Sequence, residues 1–163
     1  GPRALGHRSI LANPADPGLP ARLNKRLNRS AFMPFAPAVL AECFEMMFPG
    51  PKCSGAQHAA RFMTIALDLD PAWHKRIPAT VHVDGTARPQ VVSEHDDPFF
   101  YRLLQRFHEA TGLGCVLNTS MNLHEEPLAN TPADALHVFD KGAVDLLILG
   151  GHYITAPAGT SPL

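Results

Sequence analysis

Cysteine, tryptophan and tyrosine are scarce in this chain, at three, one and two residues of 163. Cys43, Cys53 and Cys115 are odd in number and follow no metal-ligand spacing. That excludes a disulfide framework and a zinc ribbon, and fits reduced thiols in the cytoplasm. An excess of charge is missing as well. The net charge is −1, so no overall basic field recruits nucleic acid or an anionic membrane. Any anion site must therefore be built locally. No apolar run reaches the ~18–20 residues that a membrane helix needs, and nothing has the form of a signal peptide. The common signatures of chemistry are absent too: no P-loop, no dinucleotide-binding glycine fingerprint, no GxSxG elbow and no Cys–His pairing. Nine histidines are present, but no i, i+4 pair has a third ligand near it. The sequence thus offers neither a catalytic nucleophile nor a zinc site.

What is present is an ordinary globular balance, 45% apolar and 18% charged, in a length that suits one domain with a real core. Sixteen prolines favour short elements and defined turns. The opening GPRALGHRSILANP reads as the middle of a longer chain, and the closing APAGTSPL is expected to fray. From Pro17 to about Arg29, Leu19, Leu23 and Leu27 recur at four-residue spacing and predict a helix. Its other side carries Arg22, Lys25, Arg26 and Arg29. PFAPAVLAE reads as a short buried strand, preceded by the proline-stiffened FMPFAP (Phe32 to Pro37). Met46 to Gln57 reads as a Pro/Gly-rich connection. Arg61 to Leu69 alternates and predicts a strand, and Asp70-Pro71 starts a short helix. Ala79 to Val83 and Gln90 to Val92 are predicted strands joined by HVDGTARP, with Asp84-Gly85 as a tight turn. Pro98 to Ala110 is the clearest helix, capped by Asp96 or Asp97 and ended by Gly112. Cys115 to Leu117 is a buried strand running into NTSMN, Thr131-Pro132 starts a helix, and Asp145 to Leu149 is a last strand. Strands and helices mix without strict alternation, so the expected class is α/β (α+β), with a twisted mixed sheet flanked by helices.

Two segments have the residue types to bind an anion. NTSMN places Asn118, Thr119, Ser120 and Asn122 at a strand end, where hydroxyls, amides and exposed N–H groups gather. HVDGTARP sets Arg88 beside a flexible glycine, and a guanidinium grips an oxyanion through two parallel hydrogen bonds. The competing reading is a polar turn and a charged hairpin tip. His124-Glu125-Glu126 is a weaker candidate for Mg²⁺.

Together, GPRALGHRSI, the RxxFxPFAP segment that begins at Arg29, HVDGTARPQVV, and LNTSMNxxxEP followed by TPADAL resemble the O-carbamoyltransferases of nodulation-factor and antibiotic biosynthesis. The resemblance spans almost the whole chain, in order. It implies that residues 1–13 are the tail end of an N-terminal actin-like domain and that residues 14–163 are the C-terminal YrdC-like domain. It also implies binding of carbamoyl phosphate and of ATP with Mg²⁺, to form carbamoyl adenylate. The N-terminal domain, which holds the metal ligands of the transfer site, then passes the carbamoyl group to the hydroxyl of a small-molecule acceptor.

Ser120-Met121-Asn122 matches the S-x-N of YrdC-like domains, Arg29 matches the Arg of their K-x-R, and Arg88 matches a phosphate-gripping Arg. Two positions depart: Leu27 stands where the Lys of K-x-R is expected, and Met33 where many members have Arg. Lys25 and Arg26 are the local replacements, because Lys25 and Arg29 share a face on a continuous helix. The implied binding set is therefore Lys25, Arg26, Arg29, Arg88, Asn118, Thr119, Ser120 and Asn122. The alternative is a nucleotide-binding or regulatory module that no longer activates carbamoyl phosphate.

Overall fold

The structure is a computed structural model that describes residues 3–30 and 34–155. Met33 and the C-terminal APAGTSPL lie outside the described residues. The main sheet has four strands: β1 (Ser9–Ala12), β2 (Ala36–Leu40), β5 (Gln90–Val92) and β6 (Cys115–Ser120). Its order is β1-β6-β2-β5. β6 runs antiparallel to β1 and to β2, while β2 and β5 are parallel, so the sheet is mixed. β1, which precedes the expected domain boundary after residue 13, pairs with β6 from Ser9↔Ser120 to Ala12↔Leu117.

Helices cover the sheet, one over Pro98–Thr111 where the apolar spacing predicts it and one over Ala41–Met47 that was not foreseen, because the strand expected over PFAPAVLAE stops at Leu40 and Ala41 and Glu42 are helical. α6 (Pro98–Thr111) turns Phe100 and Leu104 inward, four residues apart, and packs on β6 and β2. Asp97 accepts from the Phe100 amide, Pro98 sits in the first turn, and Gly112 takes the left-handed conformation (φ 73°) that ends the helix. α2 (Ala41–Met47) packs Phe44 against Phe48, ring centroids 5.3 Å apart, over β2 and β5. α1 (Leu19–Arg26) buries Leu23 with Leu27 just beyond its end, in a second cluster shared with α7 (Pro132–Asp140) and β7 (Leu146–Leu149). α7 begins with a reciprocal cap: Thr131 accepts from the Asp134 amide, and Asp134 accepts from the Thr131 amide. Among the described residues no helix is long and apolar enough to cross a membrane.

Four further stretches differ from the expectation. Arg61 to Leu69 forms a ladder only at β3 (Leu67–Asp68), which pairs with β4 (Thr86–Ala87). Arg61 to Met63 is a turn, with Met63 at φ 52°. The alternation still decides burial, since Met63, Leu67 and Leu69 are buried and Thr64, Ala66 and Asp68 are exposed. Ala79 to Val83 is not a strand. Pro78 opens a single 3₁₀ turn over Pro78–Thr80, closed by Thr80 Oγ1 donating to Ile77 O at 3.2 Å. The Asp84-Gly85 turn therefore leads into β4 rather than joining two longer strands. The stretch from Met46 to Gln57 is largely helical: it holds the end of α2 and α3 (Pro51–Ser54), and its last residue starts α4 (Gln57–Ala60). Gly50-Pro51 starts a helical turn there instead of a loop. The short helix α5 (Pro71–His74) follows its Asp70 cap as expected. β7 continues through Gly150-Gly151, both at positive φ, into an unforeseen partner, β8 (His152–Thr155).

Candidate functional site

The sheet topology brings distant segments to one edge. In an antiparallel pair the end of one strand lies beside the start of the other, and Ala36 pairs with Asn118. β5 runs parallel to β2, so Arg88, two residues before Gln90, reaches the same edge. β1 is antiparallel to β6, so Arg3 and Ala4, which precede it, also arrive there. The beginnings of β1, β2 and β5 thus meet the end of β6. The result is a cavity of about 470 Å³, within the usual range for small-ligand sites.

Three guanidinium-bearing residues line it: Arg3, Arg29 and Arg88. Arg29 Nη1 donates to Thr119 Oγ1 at 2.9 Å, and its guanidinium lies over the Phe35 ring, 5.5 Å from the centroid. Burial pushes the Arg29 pKa down from its ordinary value. Arg88 is lowered by burial first and then by the charge of Arg3. Among the described residues neither Arg3 nor Arg88 forms an ion pair with a carboxylate. In a chain of net charge −1, this is a local excess of positive charge that an anion would relieve.

Beside them the lining is polar and neutral: Asn118, Thr119, Ser120 and Asn122. Asn122 Nδ2 donates to Leu123 O at 2.8 Å and to Glu126 O at 3.0 Å, which closes the following loop. Asn118 is 1% exposed and spends both amide hydrogens, on Ala4 O at 3.1 Å and Gln90 Oε1 at 2.7 Å. Gln90 Nε2 donates in turn to Leu5 O at 3.0 Å. Carbonyl oxygens only accept, so Ala4 O and Leu5 O orient both amides. Asn118 Oδ1 then remains buried without a hydrogen-bond partner among the described residues. Such an orphan costs roughly 1–3 kcal/mol, which the three hydrogen bonds of the chain offset at about 1 kcal/mol each.

Six of the eight residues singled out from the sequence line this cavity: Arg29, Arg88, Asn118, Thr119, Ser120 and Asn122. Lys25 and Arg26 do not. The reason is the way α1 ends. Asn28 takes a left-handed conformation (φ 54°), its amide donates to Lys25 O, and the Arg29 amide donates to Asn24 O. This 6→1 and 5→2 pairing closes the helix and swings Arg29 away from the face that carries Lys25. Lys25 stays exposed, and Arg26 Nη1 donates to Asp145 Oδ1 at 2.8 Å. Leu27 is fully buried in the second core cluster.

Arg3 is the functional candidate that sequence reasoning passed over. Its signal was the GPRAL motif, read there as a family mark rather than as a source of a cavity charge. The Glu126 of the candidate Mg²⁺ segment instead accepts from or pairs with His137, Oε1 to Nε2 at 3.2 Å. Among the described residues no group of three or more His, Cys, Asp or Glu is placed to hold a metal ion.

Comparison with known proteins agrees with the motif order. The Carbamoyltransferase C-terminus family matches residues 1–156. An uncharacterized protein of Methanocaldococcus jannaschii is 41% identical over 155 residues, covering 94% of this chain and 24% of that protein. Nodulation protein NolNO of Sinorhizobium fredii is 36% identical over 159 residues, covering 94% of the chain and 22% of its own length. The 3'-hydroxymethylcephem-O-carbamoyltransferase of Streptomyces clavuligerus is 30% identical over 164 residues, covering 98% of the chain and 29% of its own length. The chain thus spans about a quarter of the length of the curated relatives it matches. With a family match over nearly its whole length, this chain belongs to the carbamoyltransferase family as its C-terminal domain.

Proposed function

We propose that the cavity binds carbamoyl phosphate and ATP and forms carbamoyl adenylate, which an N-terminal actin-like domain uses to carbamoylate a hydroxyl acceptor. The observation that carries this reading is the meeting of Arg3, Arg29 and Arg88 at one cavity, with Arg3 and Arg88 unpaired by carboxylates among the described residues. The family membership supplies the group transferred.

The overall step balances as carbamoyl phosphate, ATP and water giving carbamoyl adenylate, pyrophosphate and phosphate. Carbamate is a poor electrophile until AMP stands as its leaving group. The protein's task is to hold two anionic reagents together, and guanidinium groups gathered by the fold at one cavity supply the donors for it. Arg29 and Arg88 are partly buried, so their charges act at low dielectric. Ser120 and Thr119 offer hydroxyl groups at the same cavity. Mg²⁺, brought by the nucleotide, would supply further positive charge for its phosphates, and among the described residues no group of three or more carboxylates is placed to hold it. The reading places the protein in the cytoplasm with its three cysteines reduced.

A second reading is favoured by Leu27, which is buried in the core where a cavity lysine is expected. On that reading the site binds nucleotide without activating carbamoyl phosphate. Release of pyrophosphate from ATP, measured in the full-length protein, separates the two. Release that requires carbamoyl phosphate supports the first. Nucleotide binding with no carbamoyl-phosphate-dependent release overturns it in favour of the second.

A further inference from the structure

We infer that Gln90, which does not line the cavity, is a positioning residue that sets Arg3 at the anion site. The inference uses the cavity as an anion site and rests on the proposed function only for the identity of the anion.

Arg3 is carried by a segment without regular structure until β1 begins at Ser9. A charged side chain on such a segment aims at nothing unless its backbone is tied. The tie comes from side chains of the sheet. Gln90 of β5 holds Leu5 O, and Asn118 of β6 holds Ala4 O. Those are the two carbonyls that follow Arg3. Gln90 Oε1 also receives the second hydrogen of Asn118, so the two amides fix each other. Gln90 is 4% exposed and Ala4 5%, so the two bonds of Asn118 are buried from water, while the bond to Leu5 O is partly buried.

Arg88 stands two residues before Gln90 on the same chain, and the charge of Arg3 lowers its pKa. Gln90 therefore links three segments otherwise joined only through the fold: the one bearing Arg3, the one bearing Arg88, and the strand end bearing Asn118 and Thr119. Arg3 is exposed at the cavity mouth, and like charges repel, so an untied segment would carry it away from Arg88. The buried amides oppose that motion before any ligand arrives. This is preorganisation, in which the fold meets the ordering cost ahead of binding.

The test is a double-mutant cycle read by the affinity for inorganic phosphate in the full chain, with thermal midpoints as the check on folding. Gln90→Met keeps the length and removes both polar atoms. Gln90→Asn keeps the amide but is one methylene too short to reach both Leu5 and Asn118. Arg3→Met removes the charge itself. If Gln90 acts through Arg3, each Gln90 variant weakens phosphate binding about tenfold in the wild-type background and less than twofold in the Arg3→Met background. Wild-type affinity in the Gln90 variants, no effect of Arg3→Met, or the same tenfold loss in both backgrounds would each overturn the inference. The proposed function fails separately, if wild-type protein binds phosphate yet releases no pyrophosphate in response to carbamoyl phosphate.

Discussion

Arg29 and Thr119 meet at the cavity, Nη1 donating to Oγ1 at 2.9 Å, although they lie 90 positions apart. The bond holds one edge of the guanidinium while Phe35 supports its face. Arg29→Met is therefore expected to weaken phosphate or carbamoyl phosphate binding by tenfold or more, a loss of at least about 1.4 kcal/mol. Lys25→Met and Arg26→Met should each change it by less than threefold, because neither side chain lines the cavity. Titration of the three variants decides the matter. A loss at Lys25 or Arg26 equal to that at Arg29 would show that the cations N-terminal to the turn do reach the ligand.

His82, Thr86 and Asp84 form a second fixed chain, just before Arg88. Thr86 Oγ1 has one proton, and it goes to Asp84 Oδ1 at 2.7 Å, since a carboxylate only accepts. His82 Nδ1, 2.9 Å from the same hydroxyl, must then carry its hydrogen as the donor. Burial lowers the His82 pKa below its ordinary value near 6.5; Arg88 adds to the lowering and Asp84 opposes it. A histidine lowered on folding contributes stability above its ordinary pKa and loses it as pH falls below that value, because the unfolded chain binds the proton more readily. The thermal midpoint of wild type should fall relative to that of His82→Asn as pH drops from about 7.5 to 5.5. A constant offset between the two curves would mean that His82 does not titrate as its burial requires.

The parts of this fold legible in the sequence are those whose causes are local. α6 announced itself through Asp97, Pro98, Gly112 and the spacing of Phe100 and Leu104, all within one short window. The Arg61 to Leu69 alternation identified the buried side chains but not the ladder, because periodicity reports burial and says nothing of whether a partner strand runs alongside. β8 left a signal that was not used: Gly150-Gly151 is a two-residue hairpin turn with both φ positive. The site was legible as residue types and not as a constellation. Arg88 and Ser120 share a wall only because β2 lies between β5 and β6, which is a long-range pairing. Lys25 and Arg29 were placed on one face by helix geometry. A left-handed Asn28 separates them, and asparagine is among the few residues that adopt that conformation readily.

The thiols carry a simpler prediction. Burial pushes the Cys115 thiol up to about 12, with Cys43 nearby adding to the shift. Cys43 is itself raised, by burial first and then by Glu42. At pH 8 a thiol with that value is ionised to about one part in ten thousand, and only the thiolate reacts. All three cysteines are buried thiols outside any disulfide. Native protein should therefore show almost no reaction with an aromatic disulfide reagent over minutes, and three equivalents after unfolding in guanidinium. Rapid labelling of the folded protein at Cys43 or Cys115 would contradict the burial of both thiols in the core between α2 and the sheet.

Gly6 gives the most demanding prediction, because its neighbour cannot yield. Its φ is 119°, a region that side-chain-bearing residues rarely adopt. A Cβ there would stand 2.6 Å from Cδ1 and 2.9 Å from Cγ of Phe100. Phe100 is 1% exposed in the first turn of α6, where its amide is held by Asp97. The ring has no room to retreat, so in Gly6→Ala the strand-leading segment must move instead. That segment is the one whose carbonyls at Ala4 and Leu5 are held by Asn118 and Gln90. Overpacking of this kind costs roughly 1–3 kcal/mol. Displacing the segment should also cost about tenfold in phosphate affinity, through Arg3. Gly112→Ala is the control. It too has a positive φ, 73°, but a Cβ there meets nothing within 4 Å, and it lies at the far end of α6. It should lower stability by about 1 kcal/mol and leave phosphate affinity unchanged. Equal affinities in wild type and Gly6→Ala, or equal losses in the two glycine variants, would break the link between the Phe100 contact and the cavity.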